Sequence, residues 1–174
     1  MAVPDYQSLM LPLLRFTAQK GIETYTSEAV EALAKELGLT EDDLKEMLPS
    51  GIQSTFVNRV GWASTYMKKA GLLEATRRGF YRITERGKDL LAKQPKTINV
   101  KLLKQYPEFL EFQQLKGTRS GKEVLDSKGI PDVSTVTPSE ALESAYENLR
   151  DELADELLSK LKKTSPAFFE RVVV

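Results

Sequence analysis

The chain has 174 residues, no cysteine, no histidine and a formal net charge of zero. This composition excludes disulfides, metal or cluster sites built on thiolate or imidazole ligands, and every catalytic arrangement that needs histidine or cysteine. The length fits one domain with an appendage, and no apolar run approaches the ~20 residues of a membrane-spanning helix. We therefore expect a cytoplasmic protein without membrane contact.

The first part of the chain predicts four helices. Apolar residues at helical spacing mark residues 5–19, 28–37, 41–48 and 57–70. Asp5 is the expected N-cap of the first helix, and Pro12 either kinks that helix or moves its start to a later residue. Gly61 lies inside the fourth helix, where glycine costs about 1 kcal/mol relative to alanine. We therefore expect Gly61 to permit close helix packing.

A β-hairpin and a further helix follow. Residues 72–76 and 80–84 have the pattern of two strands, and the connection Arg77-Arg78-Gly79 has glycine where a tight hairpin needs a positive φ. Thr84 is the expected cap of a helix over 85–93. The order of elements is that of a winged helix, a mainly α fold with a small β-hairpin. Residues 1–98 are therefore predicted to form a winged-helix DNA-binding domain.

The rest of the chain divides into three segments. Residues 99–116 form a helical extension that Pro107 breaks or bends, and residues 117–137 have the composition of a flexible linker. Residues 138–174 begin with a long amphipathic helix over 138–163, whose narrow apolar stripe has residues spaced by threes and fours. Such a stripe fits a homodimer seam as well as a helix that packs back on its own chain.

The charges are distributed unevenly along the chain. Lys and Arg exceed Asp and Glu by nine in residues 51–104, whereas acidic residues are in excess by five in residues 1–50 and by four in residues 105–174. The basic block coincides with the fourth helix and the hairpin, which correspond to the recognition helix and the wing of the fold. A local positive field favours a polyanion, so double-stranded DNA is the expected partner; the alternative is a solvated lysine-rich face.

We expect eight side chains to contact DNA: Asn58, Arg59, Ser64, Thr65, Lys68, Lys69, Arg77 and Arg78. The residues near the start of the fourth helix are suited to base edges, since Arg can pair with guanine and Asn with adenine. The hydroxyls suit a phosphate or one base edge, and the remaining cations suit phosphates. This hypothesis requires that the outer face of the fourth helix and the hairpin together form one exposed surface.

Structural explanations exist for several of these residues. Lys68 and Lys69 also complement the dipole of the helix end, the two arginines keep a strand edge soluble, and Asn58 could serve only as an N-cap. Trp62 is expected to be a packing residue. A winged helix can also serve as a protein-interaction or dimerisation module with no direct DNA contact, and this is the alternative function.

Motifs of enzymes are missing from the sequence, which has no P-loop, no GxGxxG and no nucleophile elbow. Acidic residues cluster at predicted helix starts, where the helix dipole explains them. We expect no catalytic residue, no cofactor and no metal site in this chain.

Three segments carry a resemblance to a known family. They are residues 58–63 (NRVGWA), 68–73 (KKAGLL) and 78–87 (RGFYRITERG), and the opening residues and the long helix before 165–170 (SPAFFE) are also similar. Together they resemble the N-terminal winged-helix domain of Mrr-type restriction endonucleases. The resemblance spans most of the chain.

The resemblance implies a type IV restriction system, in which the N-terminal domain binds DNA and a separate C-terminal domain cuts methylated DNA with Mg²⁺. The acidic residue and the Gln-Ala-Lys-type strand of that nuclease domain have no counterpart in residues 1–174. No catalytic residue is carried over, so we expect this chain to bind DNA without cleaving it.

Overall fold

The computed structural model describes residues 3–119 and 135–163. The chain divides into two units, Met1–Thr137 and Pro138–Val174. The described helices of the first unit are α1 (Met10–Lys20), α2 (Thr26–Glu36), α3 (Glu41–Lys45), α4 (Thr55–Lys69), α5 (Glu85–Ala92), α6 (Val100–Leu103) and α7 (Pro107–Arg119). Its strands are β1 (Thr24–Tyr25), β2 (Leu73–Arg77) and β3 (Phe80–Ile83), and the second unit holds α8 (Pro138–Lys162). This mainly helical architecture with a small antiparallel sheet confirms the predicted fold class.

The helix starts follow local capping chemistry. Asp5 accepts hydrogen bonds from the backbone N–H groups of Gln7 and Ser8 at 2.9 and 3.1 Å, but these bonds close a turn, and α1 begins only at Met10. Pro12 therefore lies in the first turn, where its missing N–H costs no hydrogen bond. Of the two alternatives for Pro12, the later start is confirmed.

Side-chain caps begin two further helices, and the cap predicted at Thr84 is confirmed. The Asp43 N–H donates to Thr40 Oγ1 at 3.2 Å, and the Thr40 N–H donates to Asp43 Oδ2 at 2.8 Å, which completes a capping box at α3. The hydrogen bonds from Thr40 lower the pKa of Asp43 to about 2. The Gly87 N–H donates to Thr84 Oγ1 at 3.1 Å at the start of α5.

The sheet has one strand more than the sequence predicted. The order is β1–β3–β2, all antiparallel, with Thr24 opposite Tyr81 and Leu73 opposite Ile83. The strand β1 is only two residues long and has no alternating pattern that could reveal it. It exists because β3 offers it a free edge.

The core lies around α4, which packs against α1, α2, α3, β2 and α7. Phe56, Val60 and Met67 of α4 are fully buried. Pro107 begins α7 instead of breaking a helix, because proline is favoured at the first helical position. Phe109 of α7 is fully buried against the ring of Tyr66, with 5.5 Å between ring centroids. The extension therefore packs on the same core, while the predicted linker lies mostly outside the described residues.

Gly87 and Gly61 differ in the space around them, and the sequence did not predict this difference. A Cβ placed on Gly87 would lie 2.4 Å from the carbonyl oxygen of Leu72, so α5 approaches the start of β2 closely only because this residue has no side chain. A Cβ on Gly61 would meet no heavy atom of the described residues within 4 Å. The expectation that Gly61 permits close packing is therefore wrong.

These contacts predict opposite effects of two alanine substitutions. We expect Gly87→Ala to lower the free energy of unfolding by about 1–3 kcal/mol, because the new methyl group collides with backbone. We expect Gly61→Ala to raise it by about 1 kcal/mol, because alanine restricts the unfolded chain and favours the helix. Urea unfolding of both variants checks this, and a destabilised Gly61→Ala protein would contradict the open space at that position.

Candidate nucleic-acid interface

A groove of about 560 Å³ runs between the C-terminal end of α4 and the strand β2. Thr65, Lys68 and Lys69 line it on the helix side, and Glu74 and Ala75 line it on the strand side. Because β2 is an edge strand, this side of the hairpin is left open to a ligand. The structure thus brings together three of the eight side chains that the sequence assigns to DNA.

Aromatic rings support both lysines of the groove. Lys68 Nζ lies 5.8 Å from the ring centroid of Tyr81, and Lys69 Nζ lies 5.3 Å from that of Phe112. Burial, together with the neighbouring charge of Lys69, lowers the pKa of Lys68. An anion in the groove opposes that shift, because an opposite charge favours the protonated ammonium. The helix side of the groove therefore carries the ammonium groups of two neighbouring lysines.

The tip of the hairpin carries the two arginines. The guanidinium carbon of Arg77 lies 3.7 Å from the ring centroid of Phe80, and its Nε lies 3.2 Å from Glu23 Oε2. Arg78 is exposed and, within residues 3–119 and 135–163, makes no hydrogen bond or ion pair. Arg78 could therefore bind an anion without breaking a hydrogen bond or an ion pair among the described residues, whereas Arg77 would have to leave Glu23.

The hairpin tip is fixed to the start of α2. Gly79 has φ of 80°, as the sequence predicts for the tight connection, and a Cβ at this position would lie 2.8 Å from the Tyr25 ring. Its carbonyl oxygen accepts hydrogen bonds from the N–H and the hydroxyl of Thr26 at 3.0 and 2.9 Å. The arginines therefore project from an anchored turn.

The N-terminal half of α4 is engaged within the first unit. Asn58 is 6% exposed, donates to Gln53 Oε1 at 3.1 Å, and accepts a hydrogen bond from the Thr137 hydroxyl at 2.8 Å. Arg59 is half-buried and donates to the carbonyl oxygens of Val3 and Pro4 at 2.6 and 3.3 Å. The outward position expected for Asn58 is wrong, because the chain itself covers it. The roles of both residues in DNA contact stay predictions.

The hydroxyl groups of Ser64 and Thr65 point back to their own helix. Ser64 and Thr65 both donate to the carbonyl oxygen of Gly61 at 2.9 Å. Ser64 is buried, so its expected place on the outer face is also wrong, whereas Thr65 is half-buried at the groove. The hydrophobic period of the helix could not show this difference, since serine is compatible with either environment.

The exposed part of α4 is restricted to its last turn. Lys69 is the one residue of this helix with an exposed side chain. The ring of Tyr66 contacts Trp62 and the α7 residues Phe109 and Phe112, with centroids 5.5–6.1 Å apart. The packing role expected for Trp62 is confirmed. The DNA-binding hypothesis requires an exposed outer face of α4. Only the last turn of the helix, which carries the lysines, is exposed.

Sequence reasoning missed the residues that hold this helix end. Arg86 donates to the carbonyl oxygen of Ala70 at 2.9 Å and makes two hydrogen bonds, at 3.1 and 2.9 Å, to the carboxylate of Glu108. No local signal connects these residues, which are 22 positions apart. Glu74 at the strand side of the groove pairs with Arg82, and here the cross-strand register gives the signal.

The described parts of the chain contain no group of three side chains that could hold a metal ion. Within the same residues, no helix combines the length and the apolar character needed to cross a membrane.

Comparison with known proteins gives two matches. The family model of the Mrr N-terminal domain matches residues 6–93. Over 187 aligned positions the chain is 31% identical to the type IV methyl-directed restriction enzyme EcoKMrr of Escherichia coli strain K12, and the alignment covers all of this chain and 58% of that relative. The chain thus spans a little over half the length of this relative. No solved structure matches the chain.

The Arg86–Glu108 pair predicts a pH-dependent contribution to stability. The hydrogen bonds from Arg86 lower the pKa of Glu108 below its ordinary value of 4.5. Its ionised form therefore stabilises the fold fully above pH 4.5, and this contribution is lost as the pH falls through the lowered pKa. We expect Glu108→Gln to lower the melting temperature slightly at pH 7 and to have no effect at a pH below the lowered pKa.

The matched control is Glu111→Gln, which changes an exposed carboxylate of the same helix. Thermal unfolding between pH 2 and pH 7 compares the two variants with the parent. A destabilisation by Glu108→Gln that persists unchanged at the acidic end would show that packing, and not the ion pair, holds the helix end.

Proposed function

The chain belongs to the family of Mrr N-terminal domains, and we propose that it is a DNA-binding domain that holds double-stranded DNA against the groove between α4 and the hairpin. The observation that carries this proposal is the joint placement of Lys68 and Lys69 in one groove beside a hairpin that ends in the unpaired Arg78. Cations arranged along a groove neutralise phosphates and release condensed counterions.

The contacts proposed here are mainly with the DNA backbone. Phosphate contacts position a protein on the duplex without reading its sequence. Arg77 is a weaker candidate than Arg78, because Glu23 already neutralises part of its charge. Contacts from Asn58 and Arg59 to base edges require Thr137 and the segment at Val3 to move aside, so they come second in this proposal.

For the protein as a whole, we propose a role in methyl-directed restriction, which is the activity in the name of its relative. The relative is a methyl-directed restriction enzyme, and the chain aligns with 58% of its length. The domain would position a separate nuclease domain, acting with Mg²⁺, on methylated double-stranded DNA.

A second candidate function is a protein-interaction module that forms a homodimer through α8. The observation that favours it is the row of large apolar side chains on this helix, from Leu142 to Leu157, each of them more than half exposed. Exposed apolar rows of this extent mark interaction sites. The two functions use different units of the chain and do not exclude each other.

Salt dependence tests the DNA-binding proposal. We expect the parent chain to bind duplex DNA with an affinity that falls steeply with salt, and each lost phosphate contact to reduce the slope of log K against log salt by about 0.9. The double variant Lys69→Ala/Arg78→Ala should therefore reduce the slope by about 2. Fluorescence anisotropy with a labelled duplex between 50 and 200 mM salt measures it, a range over which such slopes are about linear.

The control for this experiment is Lys35→Ala, which removes an exposed lysine from the last turn of α2, outside the groove. Its slope should equal that of the parent. Equal slopes for the parent and the double variant would refute the groove as the DNA site. No binding by the parent at low salt would leave the interaction module as the function of this chain.

Base modification provides a separate prediction. Because the contacts proposed for the groove and the hairpin tip are with phosphates and not with base edges, we expect this chain to bind methylated and unmethylated duplexes of one sequence with equal affinity. Competition between the two duplexes for the chain measures the ratio. A preference of tenfold or more would show that the covered half of α4 opens and reads bases.

A further inference from the structure

The helix α8 displays a continuous apolar stripe. Its exposed large members are Leu142, Tyr146, Leu149, Leu153 and Leu157, whose side chains are 53–72% exposed, and the half-buried Leu161 follows four positions further on. Successive members are four, three, four and four positions apart, so Leu142 and Leu153, and likewise Tyr146 and Leu157, are eleven residues apart. An eleven-residue repeat corresponds to 3.67 residues per turn, close to that of a straight helix. The stripe therefore follows the helix axis with little drift.

The stripe is nearly symmetric about its own middle. Reflection about the point between positions 149 and 150 exchanges Leu142 with Leu157 and Tyr146 with Leu153. A second copy of the helix that runs in the opposite direction therefore presents an apolar residue opposite each of these four. Self-complementarity of this kind is the property that a two-fold symmetric interface needs.

The charges along α8 favour the same orientation. The first turn carries Glu140, whereas the last turn carries Lys160 and Lys162, with Lys160 Nζ 2.6 Å from Glu156 Oε1 of the same helix. In a parallel pair, the lysine ends of the two copies would lie side by side and repel each other. In an antiparallel pair, each lysine end lies beside the acidic end of the partner, which is favourable at both ends.

We propose that α8 pairs with α8 of a second copy of this chain in antiparallel orientation, with Leu149 at the centre of the seam. This inference deepens the second candidate function and does not depend on DNA binding. All measurements that test it are made without DNA, so their failure leaves the DNA-binding proposal untouched.

Two adjacent leucines provide a matched test of the seam. Leu157 and Leu158 are both 53% exposed, but only Leu157 belongs to the stripe, since consecutive residues are about 100° apart around a helix. We expect the parent chain to sediment as a dimer, Leu157→Glu to raise the dissociation constant at least tenfold, and Leu158→Glu to leave it within a factor of two. A monomeric parent, or equal effects of the two substitutions, would overturn the proposal.

The absence of cysteine from the chain allows a direct test of orientation. Single cysteines at Leu142 and Leu157 face each other across an antiparallel pair, while two copies of Leu142→Cys would be roughly 20 Å apart along the axis. We expect a mixture of Leu142→Cys and Leu157→Cys chains to form the mixed disulfide under mild oxidation, and Leu142→Cys alone to remain unlinked. Efficient self-linking of Leu142→Cys would establish a parallel pair and overturn the proposal.

Leu149→Cys serves as the control for the seam itself, because position 149 meets its counterpart in either orientation. A disulfide there together with the mixed 142–157 disulfide supports the antiparallel arrangement. No disulfide at any of the three positions would show that the stripe packs against something other than a second α8, and this too would overturn the proposal.

Discussion

The burial of α4 is the constraint on which the other features of the first unit depend. This helix of 15 residues contacts α1, α2, α3, β2 and α7, and among its side chains only that of Lys69 is exposed. A helix covered in this way cannot lie along the major groove over its full length. What remains for a ligand is the last turn of the helix and the hairpin beside it, and this is where the lysines and the unpaired arginine lie.

Hydrogen bonds between distant segments hold the two sides of the groove in place. The Thr84 hydroxyl donates to the carbonyl oxygen of Gly71 at 2.7 Å, at the turn that joins α4 to β2. Arg86 of α5 donates to the carbonyl oxygen of Ala70, the residue that follows α4, and the hairpin tip is bound to the start of α2 through Thr26. Because these hydrogen bonds exist before any ligand binds, the helix end and the hairpin need little further ordering when a ligand binds.

The two units of the chain have chemically different surfaces. The first unit displays the cationic groove, and α8 of the second unit displays an apolar stripe between an acidic and a basic end. The two proposals are compatible, since an antiparallel pair of α8 helices would join two copies of the cationic groove in one particle. Two linked sites bind a long polyanion more tightly than one, because the second contact is intramolecular.

The sequence alone determined the features that depend on neighbouring residues. The caps of Thr40 and Thr84 and the positive φ of Gly79 were predictable, because each depends on chemistry within a few positions. The order of helices and hairpin and the three segments that resemble the Mrr family likewise required no coordinates. The two-residue strand β1 was not predictable, since its only basis is a partner strand far along the chain.

Only the tertiary structure decided which polar side chains are available. Periodicity shows which side of α4 is apolar. It does not show that the Thr137 hydroxyl binds Asn58 or that Arg59 donates a hydrogen bond to the carbonyl oxygen of Val3. These contacts join positions 79 and 56 residues apart, and no local pattern encodes them. The charge of the basic block was evident in the sequence, whereas only packing showed that Lys69 is the exposed residue of α4 and that Arg78 has no ion pair within the described residues.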